Sequence, residues 1–437
     1  MFTVKMVPCF SYLLLNLVEF LKLGRNTASD KNITTYISNM SRLRGILFRL
    51  ISIPSYRDDE DNVNEVEVGN YVYNFFQELK EKDPDLEVEK QPVEGDRFNI
   101  IVKKGKPELL LGFHLDTVPT NERDWKVCRP FEPKEVNGRI YGLGSVDVKG
   151  AIAAVMALSE EHLPKLNNFC YLFTVDEEYE FKGINKFLKS KEIRPSLAVF
   201  GEPTNLKICN KHRGIIQARV TAYGKSAHAG SPNLGINAIE LLMDSVGGVK
   251  KTITSEEFED PELGRCSFNL AYIRGGKEGS YNRVPDEAMV VLDIRTTPKL
   301  TVERVKSLVR NEIKEKFKQR CEENGLDFVS TFREPEMKVD FVYGPLLTSR
   351  ESLKKLESIV KREVGEVGYI MSQGITEAGI LSERWGIPAC NFGPGPMEMS
   401  HKPDEFVNLK DLELVKRVYT ELLKEYSKVE QDAGGGI

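Results

Sequence analysis

Five short segments of the 437-residue chain carry residue types that could do chemistry together. Residues 111–120 read LGFHLDTVPT, with His114 and Asp116 closing an apolar run. Side chains alternate across a strand, so these two share a face, where the carboxylate can hold the imidazole. A carboxylate is a common partner for the second ring nitrogen of a metal-bound histidine. The plainer alternative is a strand-end histidine beside a turn-forming aspartate. Residues 141–150 read YGLGSVDVKG, ahead of the helical AIAAVMAL. Gly142 and Gly144 do not make a dinucleotide loop, because the third glycine and the preceding apolar strand are missing. Asp147 stands just before the helix, either as an N-cap or free to bind a ligand.

Residues 173–183, FTVDEEYEFKG, place Asp176, Glu177 and Glu178 in succession at the end of another apolar run. Three adjacent acids repel one another unless cations compensate. Neighbouring side chains point to opposite sides, so one carboxylate can bind a metal while the next moves a proton. The alternative is a solvated acidic turn. Glu202 of VFGEPTN follows the run 197–200, and His401 of NFGPGPMEMSHKPDEFV follows the run 389–392. Each of these two can also be a surface loop residue.

These segments need a frame. The nearly continuous apolar runs over 109–115, 169–175 and 197–200 read as buried strands, with weaker strands over 86–89 and 99–102. Helical spacing occupies 42–51, 63–81 and 151–163. The alternation predicts an α/β fold with a mostly parallel sheet covered on both faces. Residues 214–333 have another rhythm: strand 215–223, helix 237–250, strands 266–274 and 287–295, helix 302–317 and strand 328–333. This βαββαβ order is the ferredoxin-like α+β pattern. The first rhythm then returns with helix 351–363, strand 367–371, helix 375–384, strand 388–392 and helix 408–426. The expectation is a ferredoxin-like domain, 214–333, inserted into an α/β domain formed by 40–213 and 334–428.

The conjunction says more than any single segment. Four of the five sit at or just past the C-terminal ends of buried strands, where open α/β sheets bind ligands. Two histidines among several carboxylates suit zinc, which takes N and O ligands. In order and local context, HLDTVP, YGLGSVDVKG, FGEPTNL, HRG (212–214), GINAIELL, DIR (293–295), TEA (376–378) and GPG…SHKPDEF resemble the zinc aminoacylase/carboxypeptidase family of two-zinc amidohydrolases. The resemblance covers 40–425 and is strongest to deacylases of acylated amino acids.

That resemblance implies a zinc-peptidase-like catalytic domain with an inserted lid and dimerisation domain, and a cytoplasmic homodimer. Two zinc ions are implied, with cobalt as a substitute. His114, Asp147, Glu178, Glu202 and His401 would be the metal ligands, with Asp147 bridging. Asp116 would orient His114, Glu177 would be the general base and then acid, and His228 of GKSAHAGSP would stabilise the oxyanion. Asn282 and Arg295 would hold the substrate carboxylate. The small-molecule substrate is an N-acyl-L-amino acid, and the alternative on the same scaffold is a carboxypeptidase, a dipeptidase or a deacylase of another acyl group. The chain departs from the family pattern at Ala151, where a glycine is usual, and at Gln373-Gly374, where Gly-Gly is usual. His162 and His212 match no ligand position; they are expected at the surface and in a loop.

Composition sets the outer bounds. Hydrophobic residues make up 41% and charged residues 29%, as in ordinary globular proteins. Net charge is -5, so no basic excess exists to neutralise phosphates, and nucleic acid is not an expected partner. Seven scattered cysteines without Cys-x-x-Cys fit a reducing cytoplasm. The most apolar stretch, residues 7–23, is interrupted by Glu19 and Lys22 and is short for a membrane span. Residues 1–39 are therefore expected to be a dispensable extension, and 429–437 a frayed tail.

Overall fold

The computed structural model describes residues 30–57, 64–190 and 193–428, which fall into two units. The first takes in the chain up to Asn210, then Thr348–Ile370 and the part from Arg384 onward; the second comprises Lys211–Leu347 and Met371–Glu383. The apolar run over 7–23 lies outside the described residues. Helix α1 (Asp30–Ile51) passes without a break through Met40, the boundary expected from sequence.

In the first unit α1 is followed by α2 (Glu65–Lys80), β1 (Glu87–Glu94), β2 (Arg97–Lys104) and β3 (Leu109–His114). A hairpin of β4 (Lys134–Val136) and β5 (Arg139–Tyr141) leads into α3 (Lys149–His162), β6 (Phe169–Thr174), α4 (Lys182–Phe187), β7 (Leu197–Phe200) and β8 (Ile208–His212), whose last two residues belong to the second unit. The second unit holds β9 (Gly214–Tyr223), α5 (Ala238–Ile253), β10 (Ser267–Gly275), β11 (Glu287–Thr296), α6 (Val302–Asn324), α7 (Phe328–Thr331), β12 (Glu336–Tyr343) and β13 (Leu346–Leu347). The chain continues with α8 (Lys354–Val364), β14 (Tyr369–Ser372), α9 (Glu377–Trp385), β15 (Ala389–Asn391), β16 (Phe406–Asn408) and α10 (Leu409–Ser427).

The large sheet begins in the order β1-β2-β6-β3-β7-β15-β8. Its centre is parallel, β6 with β3, β3 with β7 and β7 with β15, as the apolar runs predict. Its flanks are antiparallel, because β1 and β2 form a hairpin and β8 reverses beside β15. The sheet is therefore mixed rather than mostly parallel. Every residue of β3, β6 and β7 is buried, which is why these strands read as unbroken apolar runs. Helix α3 is buried from Lys149 to Ser159, with α1 and α10 packed on it; a helix covered all round needs apolar or small residues on every face.

The small sheet has the order β10-β11-β9-β12 with antiparallel pairing throughout, and α5 and α6 supply the helical side of its core. Counted within the unit this is strand order 2-3-1-4 of the βαββαβ pattern, the ferredoxin-like arrangement. The last strand is displaced from the expected 328–333 to Glu336–Tyr343. Residues 328–331 form one helical turn, capped by Asp327 on the Ser330 N–H, and Phe328 and Phe332 stack on each other against Phe317 of α6. The unit also runs past the expected 214–333 at both ends and takes in 371–383, which the sequence rhythm assigns to the catalytic part.

Candidate metal centre

The five expected ligands lie in the first unit and come together. His114 closes β3, and its ring is buried. Its Nδ1 donates to the backbone carbonyl of Asp116 at 3.0 Å, which turns Nε2 toward Asp147 Oδ1, also at 3.0 Å. Glu202 Oε1 lies 3.9 Å from the same Nε2. On the other oxygen of Asp147, Oδ2, His401 Nε2 stands at 3.3 Å, and it meets Glu178 Oε1 at 3.1 Å. Two ligand sets result, His114 with Asp147 and Glu202, and Asp147 with Glu178 and His401, each with ligand atoms within 4.8 Å of one another. Asp147 belongs to both through different oxygens. Glu177 joins His114 and Glu178 in a third such set.

Local sequence explains each placement. Asp147 precedes α3 but caps nothing: the N-cap residue is Val148, with no side-chain cap, so the Asp147 carboxylate is free for the histidines. Its peptide bond to Val148 is cis. Glu202 follows β7 through Gly201, where a Cβ would come within 2.8 Å of Ala151 Cβ and 2.6 Å of the Phe113 ring. The glycine lets the strand end approach α3 even though Ala151 carries a methyl. His401 adopts the left-handed conformation, φ 62°, in the loop after β15.

The role expected for Asp116 needs correction. Its carboxylate stands 3.6 Å from His114 Nδ1, beyond a normal hydrogen bond. Its oxygens accept instead from the backbone N–H groups of Glu177, at 3.1 Å, and Glu178, at 2.9 Å. The backbone carbonyl of Asp116 is the close hydrogen-bond partner of the ring, while its carboxylate, 3.6 Å from Nδ1, acts on the imidazole through its charge.

The three-acid turn is compensated as its charge requires. Asp176 is fully buried and receives Arg97 Nη2 at 2.7 Å and Arg57 Nη2 at 3.2 Å. Arg97 also forks onto Glu65, Nε at 2.5 Å and Nη2 at 2.9 Å, while Glu65 accepts the Asp176 N–H at 2.9 Å. Burial pushes the Glu65 carboxyl up to about 7, against the pull of Arg97. Sequence reasoning missed Arg97 and Glu65; a lone arginine opening the buried RFNII run was the available signal.

The electrostatics are those of a site built for cations. Burial disfavours a charged His114 ring, but Asp116, Asp147, Glu177 and Glu202 outweigh it and hold its pKa well above the ordinary value. Asp147 and Glu178 raise His401 to about 10. Burial works against the Asp147 carboxylate, but the two histidines hold its pKa below the usual range. Burial raises Glu178, with His401 opposing. The three carboxylates and two imidazoles of the two ligand sets fit two divalent ions with mixed N and O ligands.

His228, Asn282, Arg295 and His212 lie in the second unit. His228 is exposed, its Nδ1 accepting from the Gly230 N–H at 3.0 Å. It is brought beside Asn282: His228 bridges to Arg283, and the Ala229 N–H donates to the Asn282 carbonyl at 2.9 Å. Arg295, on β11, is engaged with Asp293 at 3.0 Å. His212 is not in a loop. It ends β8, fully buried, with Nδ1 at 3.0 Å from the Arg213 carbonyl. His162 ends α3, half-buried. Among the described residues no helix is long and apolar enough to cross a membrane.

The family model described as Peptidase family M20/M25/M40 matches residues 110–425. The chain is similar to acetylornithine deacetylase of Photorhabdus laumondii subsp. laumondii, 29% identical over 361 residues, 80% of this chain and 88% of that protein. In structure it resembles a tripeptidase of Staphylococcus aureus, with TM-score 0.67, 20% identity, and coverage of 89% of this chain and 98% of that one. It also resembles an M20 family metallo-carboxypeptidase of Sulfolobus solfataricus, with TM-score 0.66, 20% identity, and coverage of 88% and 99%.

Proposed function

The chain belongs to peptidase family M20/M25/M40, and from that membership we propose that this hydrolase cleaves the amide bond of an N-acyl-L-amino acid with two zinc ions. The first candidate reaction is N-acetyl-L-ornithine to L-ornithine and acetate, a step that would serve arginine biosynthesis. The observation that carries the reading is Asp147, whose two carboxylate oxygens face two separate histidine-carboxylate sets. Similarity to the Photorhabdus deacetylase supports the substrate.

His114, Asp147 and Glu202 would hold one ion, and Asp147, Glu178 and His401 the other. Bound there, the ions would polarise the amide carbonyl and acidify the attacking water. Glu177, held by its backbone N–H on Asp116, takes the proton from that water and returns it to the leaving amine. In this proposal His228 donates to the developing oxyanion, and Asn282 and Arg295 recognise the substrate carboxylate. Arg295 must then exchange Asp293 for substrate, which its planar fork permits. We place the enzyme in the cytoplasm as a homodimer associating through the ferredoxin-like unit.

One amine-release assay tests the reading, with N-acetyl-L-ornithine, other N-acetyl amino acids, N-succinyl-diaminopimelate and a dipeptide panel. Acetylornithine should give the highest kcat/KM, and chelator dialysis should abolish turnover until zinc or cobalt is returned. A preference for dipeptides would replace deacylase by peptidase on the same centre. Full activity in protein shown to be metal-free would remove the two-ion reading altogether.

A further inference from the structure

We infer that Glu405 is a positioning residue of the metal centre, fixing the loop that presents Asp147. This rests on the two-ion reading above. Glu405 is 1% exposed. Its Oε1 accepts from the backbone N–H groups of Val146, at 2.8 Å, and Asp147, at 3.2 Å; its Oε2 accepts from Gly144 at 3.0 Å. Its backbone carbonyl takes the Gly142 N–H at 3.0 Å. Four N–H groups between 142 and 147 thus end on one residue.

Placement in the chain gives this arrangement its consequence. Glu405 stands four positions after His401. It immediately precedes β16, which pairs with β5, the strand that leads into the loop; Phe406 lies opposite Tyr141. The segment that delivers His401 therefore also ties down the segment that delivers Asp147, and the two side chains meet at 3.3 Å. Both Glu405 oxygens are directed at N–H groups, and Glu405 belongs to none of the ligand sets, so it acts through Asp147.

A carboxylate is needed for a geometric reason. Three N–H donors converge on it, and only two acceptor oxygens on one planar group can receive them all. Glutamine would turn an NH2 toward at least one donor. The loop would then shift, and the bridging oxygens with it. Outer-shell partners of this type typically change metal affinity by about 10–100-fold.

The test uses the full chain, with Zn2+ and Co2+ alone as probes. Affinity for each ion is read by competition with a chromophoric chelator, and ligand geometry by the Co2+ absorption bands. Glu405→Gln should weaken at least one ion about 10–100-fold and shift the cobalt bands. Glu405→Asp, which keeps the two carboxyl oxygens on a shorter arm, should lie between it and the parent protein. Asp404→Ala is the control, because Asp404 secures the same segment elsewhere, its Oδ1 accepting from the Lys126 and Val127 N–H groups at 2.9 and 2.8 Å. It should lower the melting temperature but leave both metal readouts unchanged. The inference falls if folded Glu405→Gln matches the parent in affinity and spectrum, or if Asp404→Ala changes them equally. Should Glu405→Gln not fold, Glu405→Asp decides by the same comparison. A parent chain that binds fewer than two ions would overturn the two-ion reading first, and the inference with it.

Discussion

The carboxylate of Asp116 spans the backbone of the acidic pair, Oδ1 on the Glu177 N–H at 3.1 Å and Oδ2 on the Glu178 N–H at 2.9 Å. One side chain from the end of β3 therefore sets the positions of both a proposed base and a proposed ligand. Asp116→Asn can satisfy only one of the two donors and must face the other with an NH2. The expected result is a fall in kcat of about 10–100-fold, the usual scale for an outer-shell partner, with a smaller change in KM. Steady-state kinetics check this. An unchanged kcat would show that the turn holds itself without Asp116.

Within the acidic pair the two substitutions should separate cleanly. Glu177→Gln keeps shape but cannot accept a proton, so metal content stays normal while kcat falls about 10²–10⁴-fold. Glu178→Gln removes an anionic oxygen 3.1 Å from His401, so metal content itself should drop. Elemental analysis beside turnover distinguishes them. Exchange of the two phenotypes would reverse the roles.

Legibility in the sequence followed burial. Strands β3, β6 and β7 were readable because every position in them is buried, and the ligands were readable because they stand just past such runs. Strand β12 was not, because EMKVDFVY alternates exposed with only partly buried positions and carries charge, while the aromatic Phe328 and Phe332 nearby mimic a strand. The assignment of 371–383 to the second unit rests on tertiary contacts that leave no local pattern. The work of Asp116 and Glu405 was hidden for another reason. Both bind backbone N–H groups, and every residue except proline supplies one, so no partner residue type marks the site.

The buried Glu65–Arg97–Asp176 group gives a stability prediction. Arg97→Met leaves two carboxylates of 1% and 0% side-chain exposure without their shared cation, though Arg57 still reaches Asp176. Breaking a buried pair in this way costs about 3–5 kcal/mol. Removing Glu65 as well, as Arg97→Met with Glu65→Met, should recover part of the loss, because an apolar pair leaves fewer uncompensated charges. Urea denaturation measures both. A cost below about 1 kcal/mol for the single variant would mean that water or another group already serves these acids.

His212 supplies a pH-dependent one. Its Nδ1–H donates to the Arg213 carbonyl, and its Nε2 has no hydrogen-bond partner among the described residues. A Cβ built on Gly379 would lie 2.2 Å from Nε2, so α9 backs directly onto the ring and leaves no room for a proton acceptor. Burial, with Arg295 adding repulsion, pushes the ring down to about 4 from the ordinary 6.5. The unfolded chain therefore binds this proton first. The stability held by the neutral ring is complete above pH 6.5 and is lost as the pH falls toward 4. The shift corresponds to about 3 kcal/mol in full, most of which should be gone by pH 4.5. His212→Asn keeps a donor near the Nδ1 position and cannot ionise over this range. Its deficit against the parent in urea denaturation should therefore shrink by about 2 kcal/mol between pH 7 and pH 4.5. A deficit independent of pH would mean that the folded protein accommodates the imidazolium after all.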